Sequence, residues 1–171
     1  MRCCTWRIAS PTPRGSRAAT ATDSTPKGCT PAVARLYQAI NGERVAVAAA
    51  LGASVPSLED WFDRVYGVRE ASLVETCRRL TYNSDGPYQA TGTPNSLDHK
   101  FITEDVPTGL MPMSALGAAA GVPTPAIDAL VAIVRSMTGK DFTAEGRTIE
   151  RLGLSGMGAA EIVRVMNEGF A

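Results

Sequence analysis

Helix start and stop signals are the feature that most constrains how this chain folds. From residue 30 onward, segments with apolar residues spaced three or four apart begin at capping residues and end at glycines. Thr30 and Pro31 form such a start, and Gly52 follows the last apolar residue of their segment. The same signals predict further helices near residues 57–66, 72–82, 110–120, 124–138, 148–152 and 159–168. Because no segment shows the alternation typical of strands, the sequence predicts an all-α body of six or seven helices.

Side chains on the apolar stripes of these helices are predicted to form the core. The two tryptophans, four tyrosines and four phenylalanines fall mostly on these stripes. Cys77 lies on the stripe of the third helix, which predicts a buried and unreactive thiol. The other cysteines, Cys3, Cys4 and Cys29, have no spacing typical of zinc ligands, so we expect neither a metal site nor a disulfide.

The N-terminal segment, residues 1–29, differs in composition from the rest of the chain. Up to residue 30 the chain has five basic residues and one acidic residue, and it is rich in Ser, Thr and Pro. This composition predicts a disordered segment, followed by one domain over residues 30–171. An organelle transit peptide is the alternative, but Pro11 and Pro13 interrupt the amphipathic helix that such peptides form.

Charge and hydropathy exclude several classes of protein. The 17 basic residues balance the 17 acidic residues, so no overall field attracts nucleic acid or an anionic membrane. No apolar run approaches the length of a membrane span, and the N-terminus lacks the apolar stretch of a secretory signal, so we expect a cytoplasmic protein without a membrane partner. The chain also lacks a glycine-rich phosphate-binding loop and has a single histidine, which predicts that it does not complete an active site alone.

The segment between Asn83 and Pro107 is the least regular part of the body. Glycines and prolines interrupt it at short intervals, which predicts a long loop. Loops of this length in a compact domain are often functional, and this one contains His99 next to Lys100. It is therefore the first candidate for a functional site.

Three segments of the chain carry a resemblance to a known family. They are TPAVARLYQAINGERVAVAAALG (Thr30 to Gly52), LDHKFITEDVPTGLMPMSALGAAAGVPTPAIDAL (Leu97 to Leu130) and AEGRTIERLGL (Ala144 to Leu154). Together they resemble the C-terminal helical domain of the octopine/nopaline (opine) dehydrogenase family, with HKFITEDVP beside GVPTPAID as the most specific part. The resemblance implies a multi-helix substrate domain of the 6-phosphogluconate-dehydrogenase-like type over residues 30–171.

The resemblance also implies an activity. The family uses NAD or NADP to condense an α-keto acid reductively with the amino group of an amino acid. An N-terminal Rossmann domain binds the dinucleotide, and the helical domain binds the amino acid and closes over the reacting carbon. This chain shows no Rossmann fingerprint glycines and no histidine before His99. We therefore expect the chain alone to bind no dinucleotide and to be an inactive fragment, with a truncated or out-of-frame start.

Three residues of the candidate site take their roles from the resemblance. Asp105 matches the acid that orients and stabilises the family's catalytic histidine, whereas its local sequence alone indicates a capping aspartate. Lys100 stands where the family has an arginine that binds a substrate carboxylate, and lysine lacks the two-pronged geometry of arginine. His99 is assigned to substrate binding, with a loop histidine bonded to the backbone as the alternative. We expect Asp105 and Lys100 to face an open concave surface where the missing domain would dock, with apolar side chains exposed there.

Two other functions remain as alternatives. One is a helical binding or dimerisation module without catalysis, and a homodimer is also compatible with an enzyme. The other is a DNA-binding helix-turn-helix over residues 151–169, where two short predicted helices flank glycines. Arg164 is the single basic residue on the second of these helices, against Glu161 and Glu168, so nucleic acid is not an expected partner.

Overall fold

The computed structural model describes residues 29–82 and 96–170, and in these ranges all regular structure is helical. The helices are α1 (Pro31–Ala50), α2 (Leu58–Tyr66), α3 (Leu73–Tyr82), α4 (Lys100–Thr103), α5 (Met111–Ala120), α6 (Pro125–Thr138) and α7 (Ala159–Glu168). A π-helical turn, Val106–Leu110, joins the region of α4 to α5. The all-α prediction is confirmed. The predicted disorder of the N-terminal segment concerns residues that, apart from Cys29, lie outside the described ranges.

Local capping signals position the first three helices. The hydroxyl oxygens of Thr30, Ser57 and Ser72 accept hydrogen bonds from backbone N–H groups three residues further on, at 3.3, 3.0 and 3.2 Å. Such bonds satisfy N–H groups that have no partner inside the helix. Gly67 ends α2 in the left-handed conformation, with a φ of 64°, which glycine adopts without steric cost. The bounds of these helices therefore follow from residues adjacent to them in sequence.

The start of α6 is capped from another helix. Thr124 occupies the predicted capping position, but its hydroxyl donates to the Asp128 carboxylate at 3.3 Å and does not cap the backbone. Instead, the Glu43 carboxylate of α1 accepts the backbone N–H groups of Ala126 and Ile127, at 2.7 and 2.9 Å. A negative charge at a helix N-terminus is also favoured by the helix dipole. This contact fixes α6 against α1.

The core consists of three clusters of buried side chains. The first joins the start of α1 to α2 and α3, the second joins the end of α1 to α5 and α7, and the third joins the π-helical turn to α6. Their buried members are Cys29, Ala34, Phe62, Leu73 and Leu80; Val47, Leu51, Leu154, Ile162 and Val165; and Val106, Val134 and Phe142. Because α1 contributes to the first two clusters, this 20-residue helix connects most of the domain.

Several aromatic side chains that the sequence assigns to the core are exposed. Phe62 and Phe142 are buried, as predicted, whereas the exposed group consists of Tyr37, Trp61, Phe101 and Phe170. Leu36, on the predicted apolar stripe of α1, is exposed as well. Apolar periodicity identifies one face of a helix, but it does not show whether another element of the chain covers that face.

The predicted helix at residues 148–152 is a hydrogen-bonded turn in the structure. The Leu152 N–H donates to the Thr148 carbonyl at 3.0 Å, and Gly153 then adopts a positive φ of 71°. A single turn therefore precedes α7, and the first helix of the helix-turn-helix alternative is not formed. That alternative is wrong on this point, because closely spaced glycines end the helical geometry after one turn.

In the described ranges no disulfide joins Cys29 and Cys77, and Cys29 is buried in the first core cluster with Cys77 packed against it. Cys3 and Cys4 lie outside the described residues. Among residues 29–82 and 96–170, no group of three His, Cys, Asp or Glu side chains is placed to hold a metal ion. No helix described here combines the length and the hydropathy that crossing a membrane requires.

Candidate functional site

The candidate site lies on a bent helical stretch that runs from α4 through the π-helical turn into α5. Asp105 stands immediately before the π-helical turn, two residues after the end of α4. Pro107 has no N–H and interrupts regular α-helical bonding, and the Met111 N–H donates to the Val106 carbonyl five residues back. The prediction of a loop up to Pro107 is therefore wrong for residues 100–107, because a π-helical turn accommodates the proline. Residues 83–95 of the predicted loop lie outside the described ranges.

Two contacts hold this stretch against the rest of the domain. The backbone N–H of Arg147 donates to the Pro107 carbonyl at 2.9 Å. The Lys140 ammonium group, just after α6, pairs with the Asp98 carboxylate at 2.6 Å. The hydrogen bond from Lys140 lowers the pKa of Asp98 below its usual value. The backbone that carries Asp105 is thus held by contacts on both sides of that residue.

Asp105 is exposed, and among the residues that the structure describes its carboxylate makes no hydrogen bond or ion pair that holds the fold. It occupies the capping position of the π-helical turn, yet its side chain makes no capping hydrogen bond. Within residues 29–82 and 96–170 it also makes no ion pair. The structure therefore does not show the capping role that the local sequence of Asp105 indicates.

His99, Lys100 and Phe101 form one cluster at the start of α4. The His99 Nδ1 atom accepts a hydrogen bond from the Phe101 N–H at 3.3 Å, so His99 caps α4. The two rings meet edge-on with their centroids 4.5 Å apart, and Lys100 Nζ lies 6.0 Å from the centroid of the Phe101 ring. His99 therefore has the backbone partner of the loop-histidine alternative, and its assignment to substrate binding stays a prediction.

Phe101 is a residue of this site that the sequence analysis did not single out. Its side chain is 42% exposed, and Leu97 in the same segment is 39% exposed. Exposed apolar side chains close to Lys100 agree with the surface expected there. In the sequence, Phe101 follows His99 and Lys100 and precedes Ile102, and this position is the only local signal for it. The helix α4 has four residues and is too short to show an apolar periodicity.

Within the part of the chain that the structure describes, neither the Lys100 ammonium group nor the Asp105 carboxylate is neutralised by an opposite charge. Both side chains are exposed, and no described ion pair involves either of them. They stand near opposite ends of α4, and no described contact joins them. A free ammonium group binds carboxylates, and a free carboxylate accepts N–H groups such as that of an imidazole ring.

A cavity of about 290 Å³ lies between α5 and α6 and does not include Lys100 or Asp105. Its charged groups already have partners, because the Ser114 hydroxyl donates to Asp128 at 2.5 Å and Arg135 pairs with Asp141 at 3.0 Å. The described residues also form no strand, so they do not provide the crevice at a parallel sheet in which dinucleotides usually bind. We assign none of them to dinucleotide binding.

The fold and this segment agree with a known family. Residues 16–138 match the family model described as NAD/NADP octopine/nopaline dehydrogenase, alpha-helical domain. The match begins before residue 30, the domain boundary expected from composition, and that boundary stays a prediction.

Curated relatives and a solved structure give the same result. The chain is 40% identical over 136 residues to the opine dehydrogenase of Arthrobacter sp. (strain 1C), covering 80% of this chain and 36% of the relative. It is 27% identical over 137 residues to the vitopine synthase of Allorhizobium ampelinum, covering 80% of this chain and 37% of that protein. A structure of octopine dehydrogenase with NADH and L-arginine superposes with a TM-score of 0.64 at 20% identity, over 80% of this chain and 40% of the other.

The fold defines the class of this protein, which is that of all-α domains like the helical domain of octopine dehydrogenase. The family model covers more than half of the chain, and the chain belongs to the NAD/NADP octopine/nopaline dehydrogenase family through its alpha-helical domain. The resemblance seen in the sequence is thereby confirmed. The chain spans little more than a third of the length of the curated relatives described above.

Proposed function

We propose that this chain is the substrate-binding domain of an NAD(P)-dependent opine dehydrogenase, which condenses an α-keto acid reductively with the amino group of an amino acid. The proposal rests on one observation, which is the exposure of Asp105 in the EDVP segment and the bonds that its carboxylate does not make. This acid is exposed on an anchored backbone, and it neither caps a helix nor pairs with a cation among the described residues. Membership of the family supports the type of reaction.

In this proposal Asp105 works with a histidine that lies outside this sequence. Its carboxylate accepts the N–H of one ring nitrogen, so that the other nitrogen faces the substrate and accepts or returns the proton of the amine. The negative charge of Asp105 also stabilises the protonated ring. A nicotinamide held by residues other than those described here would supply the hydride, while the residues of this domain bind and orient the substrate.

Lys100 is proposed to bind a carboxylate group of the substrate. Its ammonium group is exposed and has the Phe101 ring 6.0 Å away, which provides an apolar surface beside the charge. Because lysine binds a carboxylate through one point charge, we expect weaker anchoring than an arginine would provide. His99 is the second proposed substrate contact, through Nε2, since Nδ1 is bonded to the backbone.

A chimeric enzyme tests the proposed function. It joins the part of the Arthrobacter opine dehydrogenase that precedes the matched region to residues 30–170 of this chain. We expect NADH oxidation only when an α-keto acid and an amino acid are both present, with the unmodified Arthrobacter enzyme as the reference. A folded chimera that binds NADH but does not oxidise it with the substrates of the reference enzyme would contradict the proposal.

A further inference from the structure

A second cavity, of about 320 Å³, lies between α1 and α2, away from the His99–Asp105 segment. Its wall consists of Asn41, Arg44, Val55, Pro56, Leu58 and Trp61. The volume is at the lower end of that found for small-molecule sites, which suits a ligand of about ten non-hydrogen atoms. What the cavity can bind depends on the polar groups in this wall.

The Arg44 guanidinium is half-buried in the wall and has no carboxylate partner among the described residues. Its Nε and Nη2 atoms donate to Asn41 Oδ1 at 3.3 and 2.8 Å, and Nη2 also donates to the Pro56 carbonyl at 2.5 Å. These bonds fix the orientation of the guanidinium and leave Nη1 without a described bond. A half-buried cation without a counter-charge is unfavourable, and a carboxylate is the ligand that fits a guanidinium best.

The acidic side chains nearest to Arg44 in sequence and along α2 are bonded elsewhere. Glu43 accepts the backbone N–H groups at the start of α6. Glu59 accepts a hydrogen bond from Gln38 at 3.0 Å, and Asp60 pairs with Arg69 at 2.6 Å. The positive charge in the cavity is therefore not neutralised by these residues.

The remaining side chains of the wall offer a hydrogen-bond donor or apolar surface. The Asn41 side-chain oxygen is occupied by Arg44, which leaves its NH₂ group facing no described acceptor. The Trp61 indole is 37% exposed, and its ring is held edge-on by Tyr66 with centroids 5.4 Å apart. Leu58 completes the apolar side of the cavity. A ligand with acceptor atoms at one end and an apolar body matches this wall, whereas an ammonium group would be repelled by the Arg44 guanidinium.

We propose that this cavity is a binding site for a small carboxylic acid with an apolar or aromatic body and no cationic group. Arg44 and Asn41 bind the carboxylate, and Trp61 with Leu58 packs against the body of the ligand. This inference is independent of the function proposed for Asp105, because it concerns other residues and a ligand bound by the chain alone.

Calorimetric titration of the full-length chain with 3-phenylpropanoate tests the site. We expect saturable binding in the millimolar range or tighter, with at least roughly tenfold weaker binding of the neutral amide of the same acid and of phenylalanine, whose ammonium group the Arg44 guanidinium repels. The absence of saturable binding, or equal binding of the acid and its amide, would overturn the proposal.

Variants of the same chain locate the ligand. Arg44→Met should weaken binding roughly tenfold or more, whereas Arg35→Met, which removes an exposed arginine from the same helix, should leave it unchanged. Because Arg44 also bonds to Pro56, Val55→Trp provides a second variant that keeps Arg44 and fills the cavity. Binding that survives Val55→Trp, or that both arginine variants weaken equally, would show that the ligand lies elsewhere and would overturn the assignment.

Discussion

Glu43 stabilises the domain through two bonds to a distant helix. Charge-assisted hydrogen bonds to a half-buried carboxylate contribute about 1.5–3 kcal/mol, and Glu43 accepts two of them from α6. We expect Glu43→Ala to lower the free energy of unfolding by about 3 kcal/mol or more, measured by urea denaturation. Glu43→Gln, which keeps one acceptor oxygen, should lose about half as much.

The exposed Glu145 provides the matched control for this prediction. Its side chain makes no described hydrogen bond or ion pair, so Glu145→Gln should change the free energy of unfolding by less than about 0.5 kcal/mol. Similar losses for Glu43→Ala and Glu145→Gln would show that the capping bonds contribute no stability.

The Cys77 thiol is expected to be unreactive because of its surroundings. Burial raises the pKa of Cys77 from 9.0 to about 12, and a hydrogen bond with Cys29 adds to the shift. At pH 8 we expect alkylation of Cys77 in the folded chain to be roughly a hundredfold slower than in the urea-unfolded chain, measured by mass spectrometry of its peptide. Equal alkylation rates of Cys77 in the folded and the urea-unfolded chain would contradict the burial of this thiol.

The same shift makes stability depend on pH in alkaline solution. The unfolded thiol loses its proton near pH 9, whereas the folded thiol keeps its proton up to about pH 12. Cys77 therefore contributes stability that is fully present below pH 9 and is lost as the pH rises from 9 towards 12. A Cys77→Ala variant should show a weaker fall in urea midpoint over this interval than the unmodified chain, and an equal fall would contradict the prediction.

Lys100 is expected to affect substrate binding more than the rate of the chemical step. In the chimeric enzyme, Lys100→Ala should raise KM roughly tenfold with little change in kcat, because a carboxylate anchor acts on substrate binding before the reaction. Lys100→Arg should lower KM, since arginine binds a carboxylate through two hydrogen bonds. Arg78→Ala, which removes an exposed cation from α3, is the control. An unchanged KM in both Lys100 variants would remove Lys100 from the site.

At the scale of helices, local signals predict some elements well and others poorly. The bounds of α2 and α7 agree with the prediction to within a residue because their caps and terminal glycines lie next to them in sequence. The π-helical turn at Val106–Leu110 is not predictable in this way. The turn is held by a hydrogen bond from the Arg147 backbone N–H to the Pro107 carbonyl, and Arg147 lies 40 residues further along the chain in a segment of turns. Proline by itself indicates the end of a helix.

The crossing of α1 and α5 depends on a glycine. A Cβ atom at Gly117 would lie 2.8 Å from Thr124 Cγ2, 2.9 Å from the Val122 carbonyl oxygen and 3.2 Å from Val47 Cγ2. We expect Gly117→Ala to lower the free energy of unfolding by about 1–2 kcal/mol, because overpacking exceeds the gain in helix propensity. Urea denaturation measures the change.

Gly42, inside α1, provides the opposite case. Apart from the neighbouring residues and backbone of α1 itself, no described atom lies within 4 Å of a Cβ built at Gly42, so Gly42→Ala should raise the free energy of unfolding by about 0.5–1 kcal/mol. The same substitution in two helices is thus expected to have opposite signs. If both variants were stabilised, α1 and α5 would not pack as closely as described.

At the scale of the molecule, the sequence predicts the helical class but not how the helices are assembled. Three small clusters form the core, and Leu36 and Tyr37 of α1 remain exposed although they lie on its predicted core face. The contact of Glu43 with α6 and the contact of Arg44 with Pro56 join segments whose pairing no periodicity indicates. The resemblance to a family motif identifies Asp105 as a candidate site residue. Its spacing from other ionisable side chains in this chain does not by itself predict a site.

The carboxylate of Asp105 is the group on which the proposed function most directly depends, and its role is measurable in a catalytically competent protein. The decisive measurement compares kcat of the chimeric enzyme carrying Asp105→Asn with that of the same enzyme carrying Glu104→Gln, which neutralises the adjacent exposed acid. We predict that Asp105→Asn lowers kcat by roughly 10²–10⁴-fold while Glu104→Gln leaves it close to that of the parent. Equal and small effects of the two substitutions would contradict the role assigned to Asp105.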